Sequence, residues 1–543
     1  MFDFAQKIFK DQSQTITSAA LILALTSLIS RVLGFFRDRL LAGSFGASDA
    51  LDAYYAAFRV PDLVYNLLVM GALSAGFIPV FVSLWQKEKI EGEASDPWRF
   101  VSGVFNLLAV GLIVLTVVGW LAAPSFVKFI TPGFAGEKLA QTISLTRILF
   151  LSPLILGLSA VMGGVLQARR RFLIYSLAPI FYNMGIIGGI MFLAPSFGVY
   201  GVAAGVIIGA LLHFLIQCPA FYGLGFRYKM VFGWADESVR RLIRLTGPRI
   251  LTLAVSQINF LALTAIGSGL VAGSLTIFNL TYNIWTFPLG ILAASLATAA
   301  FPQLSQAIAA GNRQGFREIF SATCRQILFL ILPVSALFWV LRTPLVQVIL
   351  GTGKFGLADV LSTGEALKFL ILGLFAEAVN LLLVRGFFAL EDTKTPFWVG
   401  LFSSTLRIGG AWWLAGSLGV AGLALGYASG GIINMVWLWF LLSRKAAGLA
   451  GKEIFASALK IILASLAAGL ASWGCLRFGG GWFNLSTLAG ALILGFLAGG
   501  WGLVVYLLSV WLLRSPELKI FWQGLKNRLP FKSVMPDKEL IEH

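Results

Sequence analysis

The sequence predicts an all-α polytopic membrane protein with 14 transmembrane helices, and three observations lead there. Of 543 residues, 58% are hydrophobic and 12% charged, and the mean hydropathy is +0.86, well outside the range of a soluble domain. The apolar residues form runs of about 20, the length that crosses a hydrocarbon core of roughly 30 Å with every backbone group bonded inside its own helix. Within these runs apolar and polar positions do not alternate, which excludes a membrane barrel.

In chain order the spans fall near Ile16 to Phe36, Ala53 to Trp85, Val101 to Ala123, Ile143 to Leu166, Phe172 to Ala194 and Val199 to Tyr222. A second series lies near Ile250 to Leu270, Leu275 to Ile308, Ile327 to Leu341, Leu367 to Leu390, Phe397 to Leu418 and Val420 to Leu442. Two more, near Ile461 to Leu476 and Leu485 to Leu513, close the chain.

Two echoes at an offset of about 220 residues mark an internal repeat, as in transporters built from two related halves. FGVYGVAAG (Phe197 to Gly205) matches LGVAGLALG (Leu418 to Gly426) with three glycines in step, and GALSAGFIPVFVS (Gly71 to Ser83) is similar to LATAAFPQLSQ (Leu296 to Gln306). The expected organisation is a six-helix N-terminal lobe over 1–224, a basic interfacial linker over 225–244 and a six-helix C-terminal lobe over 245–445. Two additional helices over 446–513 and a basic cytoplasmic tail over 514–543 complete it. An even number of helices per lobe brings both lobes in from the same side, with a cavity between them. The linker reads either as an interfacial helix or as a solvated connector.

Cytoplasmic loops hold the excess of Lys and Arg. Alternate connections carry Lys87 and Lys89, Arg169 to Arg171, Arg227 with Lys229 and Arg240 to Arg244, Arg313 and Arg317, Lys394, and Arg444 with Lys445. The opposite loops are poor in them, which puts both termini in the cytoplasm. The net charge of +17 reflects this bias and the basic tail (Lys519, Lys526, Arg528, Lys532), so no nucleic-acid partner is expected. The tail reads as a topology anchor facing anionic lipid.

Cys218, Cys324 and Cys475 lie far apart in or beside apolar runs and read as small hydrophobes. His213, alone inside the sixth span, is either a packing histidine or a proton relay. The first apolar run is too long for a cleaved signal peptide.

The stretch from Ser30 to Pro79 places Arg31, Arg37, Asp38, Asp49, Asp52, Arg59 and Asp62 in or beside two apolar segments. A charge at mid-bilayer costs roughly 2.5–3.5 kcal/mol on insertion scales, so such residues face a cavity and meet something polar there, here an anionic substrate. Arg31 sits too deep for easy escape, whereas Arg37 and Arg39 lie near the helix end, where snorkelling is the alternative. Arg31 with Asp38, and Asp52 with Arg59, are seven apart and share a helix face. Asp49 and Asp52 also read as first-turn carboxylates behind a Ser48 cap.

In the second half, Glu377 and Arg407 lie in successive helices at comparable depth and read as a pair, either gating or structural. Asn183, Gln257, Asn259, Asn279 and Asn283 either line the cavity or join helices. Prolines such as Pro61, Pro79, Pro179, Pro288 and Pro333 bend their spans. There is no P-loop, zinc spacing or hydrolase constellation, so an enzyme is not expected.

Taken in order, SRVLGFFRD (Ser30 to Asp38), SDALDAYYAAFRVPDL (Ser48 to Leu63), AGFIP (Ala75 to Pro79), GKF (Gly353 to Phe355) and GFFALEDTKTP (Gly386 to Pro396) resemble the MurJ (MviN) family of lipid II flippases. The resemblance covers nearly the whole chain. It implies the fold of the multidrug/oligosaccharidyl-lipid/polysaccharide exporter superfamily, with the last two helices forming a groove for a polyprenyl tail. It further implies that the chain carries lipid-linked peptidoglycan precursor from the cytoplasmic to the outer leaflet of the bacterial inner membrane by alternating access.

By the same resemblance, the positions of Arg31, Arg37, Asp38 and Asp52 are functional, and Arg59 joins them from its place in the second span. Other positions depart from the family pattern: charged residues of well-known members fall on Tyr65, Met70, Tyr282, Asn283 and Thr286, and a sodium-site aspartate falls on Leu263. Arg59 or Arg249 would substitute, or the head group would differ. The expected partners are a polyprenyl-pyrophosphate-linked glycan, membrane lipids and cell-wall synthesis enzymes. No cofactor or metal is expected; coupling would be to the membrane potential or to a cation.

The other readings are a flippase for another polyprenyl-linked glycan, a cation-coupled drug exporter and a non-transporting scaffold. The basic residues Arg31, Arg37 and Arg59 disfavour the exporter, which needs an acidic cavity.

Overall fold

The computed structural model describes residues 16–71, 76–91, 96–446, 448–483 and 485–528, and these are helical almost throughout. Among them nine helices are long and apolar enough to cross a membrane, or ten if Leu357–Ile371 (α14) and Leu374–Ala389 (α15) form one broken span. The four remaining expected spans are helical as well. They are α1 (Ile16–Phe45), a broken second span, α10 (Glu237–Ser268) and α16 (Lys394–Leu418). The chain is thus an all-helical, multi-pass membrane protein, consistent with 14 spans. Large apolar side chains stand open on helix surfaces, Phe192 at 76% and Phe496 at 84%, a state that suits acyl chains and not water.

The second span breaks where its sequence requires. Its pieces are α2 (Asp49–Ala57), α3 (Arg59–Val64) and a π-helical turn over Tyr65–Met70. Pro61 has no amide for Ala57 and its ring crowds that carbonyl, so the helix stops at Phe58 and restarts. Past four residues outside the described set, α4 (Ile78–Glu91) continues, followed by α5 (Pro97–Ile130), α6 (Gly136–Leu149), α7 (Leu151–Ala168), α8 (Phe172–Gly188) and α9 (Val199–Leu215).

The stretch 225–244 is not a separate helix. Residues 226–232 are irregular, Asp236 caps α10 by accepting from the Ser238 amide at 2.8 Å, and Glu237 to Arg244 are the first turns of that long helix.

Then come α11 (Ser274–Pro288), α12 (Ala294–Ala309), α13 (Arg313–Ile349), α14 to α16, α17 (Val420–Lys445), α18 (Gly451–Gly479), α19 (Leu488–Leu512) and α20 (Pro516–Arg528). The short ninth and thirteenth apolar runs sit inside helices of 37 and 29 residues, whose polar ends the hydropathy pattern does not count.

The glycines of the first echo do the same work at both of its sites. Gly198 and Gly419 take φ of +56° and +59° at the turns entering α9 and α17, a region open to glycine. Along the helices, a Cβ on Gly205 would meet the Gly189 Cα at 2.7 Å, and one on Gly426 would meet the Ala411 nitrogen at 2.3 Å. Backbone therefore lies on backbone between α8 and α9 and between α16 and α17, the close approach that membrane helices use in place of a hydrophobic drive.

The described residues divide into two compact units: Met1–Ile284 with Val346–Leu370 and Gly400–Gly430, and Trp285–Leu345 with Ile371–Val399 and Gly431–His543. The first packs around Val69, Phe77, Phe81, Phe100 and Val161, with a second cluster around Leu41, Leu51, Leu145 and Val202. In the second, Tyr506 donates to the Phe329 carbonyl at 2.6 Å. Glu517, 1% exposed, accepts from Ser457 Oγ at 2.9 Å, faces Arg325 at 3.5 Å and is bonded by Ser515. The start of the basic tail is therefore a docked helix. Beyond Arg528, including Lys532, the tail lies outside the described residues.

Candidate functional site

α1 carries Arg31, Arg37 and Asp38 on a 30-residue helix. Arg37 is held firmly: Nε and Nη2 donate to Asp38 Oδ1 at 3.0 and 2.8 Å, and Nη1 to Asn183 Oδ1 on α8 at 3.2 Å. Asp38 is 3% exposed, and its other oxygen accepts from Asn283 Nδ2 on α11 at 2.9 Å. A buried carboxylate with both oxygens engaged satisfies itself and orients the arginine fork beside it. Arg31 is different. It is half-buried and has no hydrogen-bond or ion-pair partner among the described residues.

Arg59, at the start of α3, donates through Nε to Thr264 Oγ1 at 2.9 Å and through Nη2 to Asn279 Oδ1 at 2.6 Å. Its guanidinium lies 5.3 Å from the centre of the Phe260 ring. Its hydrogen-bond partners are neutral, and the carboxylate that acts on it through space is Asp62, three residues on. Three guanidinium groups are thus set along the first two spans, two oriented by polar neighbours and one left without a partner.

Asp52 is 2% exposed and fully engaged. Oδ1 accepts from the Thr276 amide and hydroxyl, both at 2.8 Å, and Oδ2 from the Gly273 amide at 2.8 Å and Lys138 Nζ at 3.0 Å. Ser48 makes no side-chain capping bond, so Asp52 does not act behind it on its own helix. It caps α11 instead, filling the free amides of that N-terminus with a carboxylate that also suits the dipole. Lys138 bridges onward to Asp49 at 2.5 Å.

Nearby, Arg39 donates to the Val348 carbonyl at 2.5 Å and the Gly351 carbonyl at 3.3 Å, in and just past the last turn of α13, and the Lys354 amide donates to the Gly43 carbonyl at 2.8 Å. Arg39 is therefore a helix-terminus ligand. Residues 39–52 form a belt of ties to 273–276 and 348–354 within the first unit.

Glu377 belongs to the second unit, where the Asn380 amide is 3.5 Å from its Oε2 and also donates to the Gly431 carbonyl at 3.0 Å. Arg407 belongs to the first, its guanidinium 4.0 Å from the centre of the Tyr427 ring. The motif GFFALEDTKTP owes its Asp-Thr-Lys-Thr to a capping turn. Asp392 accepts from the Thr395 amide at 3.0 Å, the Thr395 hydroxyl at 2.6 Å and Lys445 Nζ at 2.6 Å.

Burial pushes the Asp392 carboxyl up, but the Lys445 and Thr395 bonds outweigh it and hold it down to about 2, against an ordinary 3.8. A depressed carboxylate stabilises above its unfolded value, and that gain is lost as pH falls through the folded one. Lys445→Ala is therefore expected to lower the melting temperature at neutral pH and to bring the acid-induced loss up toward pH 3.8, read by thermal unfolding across pH.

The second unit also contains an apolar cavity of about 760 Å³, lined by Trp339 and Val340 of α13, Leu372, Phe375 of α15, and Leu466 and Trp473 of α18. α18 is one of the two closing helices, and residues of α13 and α15 complete the wall of this cavity with it.

The family described as lipid II flippase MurJ matches residues 41–492. This chain belongs to the MurJ family. A "Probable lipid II flippase MurJ" of Buchnera aphidicola subsp. Acyrthosiphon pisum is 30% identical over 507 residues, 92% of this chain and 98% of the relative. Among solved structures, "Lipid II flippase MurJ, inward closed conformation" superposes with a TM-score of 0.75 at 24% identity, covering 93% of this chain and all of that one. An inward-facing multidrug resistance MATE family transporter of the MOP superfamily gives 0.66 at 16% identity, over 80% of this chain and 99% of its own. MurJ membership makes this chain a transporter and not an enzyme.

The MurJ departures have visible counterparts. Asn283 supplies a neutral donor to Asp38, Tyr282 sits edge-on to Phe260 at 5.2 Å and to Tyr427 at 5.6 Å, and Leu263 is 1% exposed in packed surroundings. Met70 is 43% exposed. The side chain of Arg249 lies outside the described residues. Lys138 is the site residue that the sequence did not single out: it shares the connection between the third and fourth spans with Lys128, and its signal was the unmatched pair Asp49 and Asp52.

Proposed function

We propose that this chain flips lipid II, the lipid-linked peptidoglycan precursor, from the cytoplasmic to the outer leaflet of the bacterial inner membrane by alternating access. The observation that carries this, beyond family membership, is Arg31: a guanidinium inside a span, without a partner among the described residues, on the same helix as the oriented Arg37. A diphosphate cannot cross hydrocarbon unaided, and arginine forks bind its oxygens two at a time in a water-filled, low-dielectric space. Only the head group enters that space. The polyprenyl chain stays apolar throughout, and the cavity against α18 offers it a matching surface.

Basic-loop bias puts both termini in the cytoplasm, so the belt around Asp52 closes the outer side. The membrane potential assists, since each negative charge moved outward gains about 2.3 kcal/mol per 100 mV. Asp38 and Asp52 act here by positioning and by gating, and cell-wall synthesis enzymes are the expected partners that use the product.

A second reading, a different polyprenyl-pyrophosphate-linked glycan, is favoured by the neutral Tyr65, Tyr282 and Asn283. Mass spectrometry of lipid co-purifying with the protein tests the proposal. Lipid II is expected; a different glycan on the same carrier selects the second reading, and no polyprenyl lipid overturns both.

A further inference from the structure

The first unit holds a second cavity, of about 320 Å³, with several polar side chains in its wall. Asp62, Tyr65 and Asn66 of the broken second span line it, with Ser152 of α7, Tyr182 of α8 and His213 of α9. The Asp62 carboxylate has no hydrogen bond and no ion pair among the described residues. Asp38, Asp52 and Glu517, by contrast, are each bonded on both sides or paired to a base. Arg59 lies three residues away on the same helix, yet its donors are turned to Thr264 and Asn279.

His213 is anchored on one edge only: Nδ1 meets Ser159 Oγ at 2.7 Å, and Gln217 donates to the same hydroxyl at 2.7 Å. Its other ring nitrogen has no partner among the described residues. Asp62 also acts electrostatically on Tyr54 of α2, Tyr65 and Tyr182, and through Tyr54 this group adjoins Arg37 and Asp38 of α1. From α10 the neutral Thr264 and Phe260 approach Arg59. On α6, Lys138 is taken by Asp49 and Asp52, and Arg147 lies over Trp120.

An ionised carboxylate alone in a bundle is costly, so it stays neutral or draws a cation to itself. We propose that Asp62 is a proton-binding site with His213 as its relay across the cavity, and that loading and release of this proton switches Arg59 between two sets of partners. With Asp62 protonated, Arg59 bonds Thr264 and Asn279 and ties the second span to α10 and α11, as seen. When the proton leaves through His213 to water, the carboxylate recruits Arg59 along its own helix, a three-residue spacing that side chains span readily, and that tie is released. The site lies between the Phe58 break and the π-helical turn, where a small change in bonding redirects a helix. A histidine and tyrosines around one carboxylate suit a proton better than an oxygen-caged metal ion. The proposal rests on the flippase reading only for what the switch drives.

The test uses the full-length protein in liposomes. Infrared difference spectra taken between about pH 5 and 8, the range in which histidine and perturbed carboxyls titrate, are expected to show a carboxylic C=O band that Asp62→Asn removes. His213→Gln is expected to slow its formation. Asp62→Asn is nearly isosteric, and matching thermal unfolding guards against misfolding. With lipid-linked substrate, wild type is expected to respond to an imposed proton gradient and Asp62→Asn to lose that response. A band unchanged in Asp62→Asn, a surviving gradient response, or a sodium gradient acting in its place overturns the proposal. Loss of the band without any lipid movement by wild type supports the site and removes the cargo reading.

Discussion

Arg31→Ala is expected to abolish lipid translocation while leaving membrane insertion and thermal stability nearly unchanged. The two halves of this expectation come from one fact, the lack of any partner for the side chain among the described residues. Nothing folded is lost with it, so stability should move by less than about 0.5 kcal/mol. What is lost is a charge-assisted fork on phosphate, with each such bond contributing about 1.5–3 kcal/mol. Two bonds correspond to roughly 10²-fold to 10⁴-fold in rate. Arg31→Lys should fall between, since it keeps the charge and loses the fork. A translocation assay in proteoliposomes measures this; full activity in Arg31→Ala would remove Arg31 from the lipid pathway.

Asp52→Ala should have the opposite signature, a large structural effect. It deprives the Gly273 and Thr276 amides, the Thr276 hydroxyl and Lys138 of their common acceptor. Removing one side of a buried ion pair costs roughly 3–5 kcal/mol, enough to shift a two-state equilibrium more than about 100-fold. The state with α2 tied to α11 should therefore be depleted. Ser274 is 1% exposed at the capped end. In a background without the native cysteines, a cysteine there should resist a membrane-impermeant thiol reagent in the parent and react in the Asp52→Ala variant. Equal protection in both would show that the belt holds without Asp52.

The fold was legible because membrane helices advertise themselves. Each expected span proved helical, and the glycine echo marked two seams that share a geometry. Helix ends were less legible, since Arg325 or Arg317 on α13 looks the same in sequence whether a helix continues or a loop begins. Of the site, the residue types were legible and their partners were not. Arg37, Arg39 and Arg59 all read as candidate phosphate ligands or snorkelling bases. Only coordinates separate one oriented by Asp38 and Asn183, one bound to the end of α13 and one held by neutral oxygens from α10 and α11. Partners from 146 to 312 positions away leave no local trace, and the asparagines among them resemble those that merely join helices.

The glycine seams carry a mechanical consequence. Where two main chains touch, no side chains remain between them to slide or re-pack, so α8 with α9, and α16 with α17, are prefabricated struts. Whatever swings during a transport cycle must articulate elsewhere, at proline-made joints such as Phe58, and a strut that cannot flex delivers that swing undiminished to its far end.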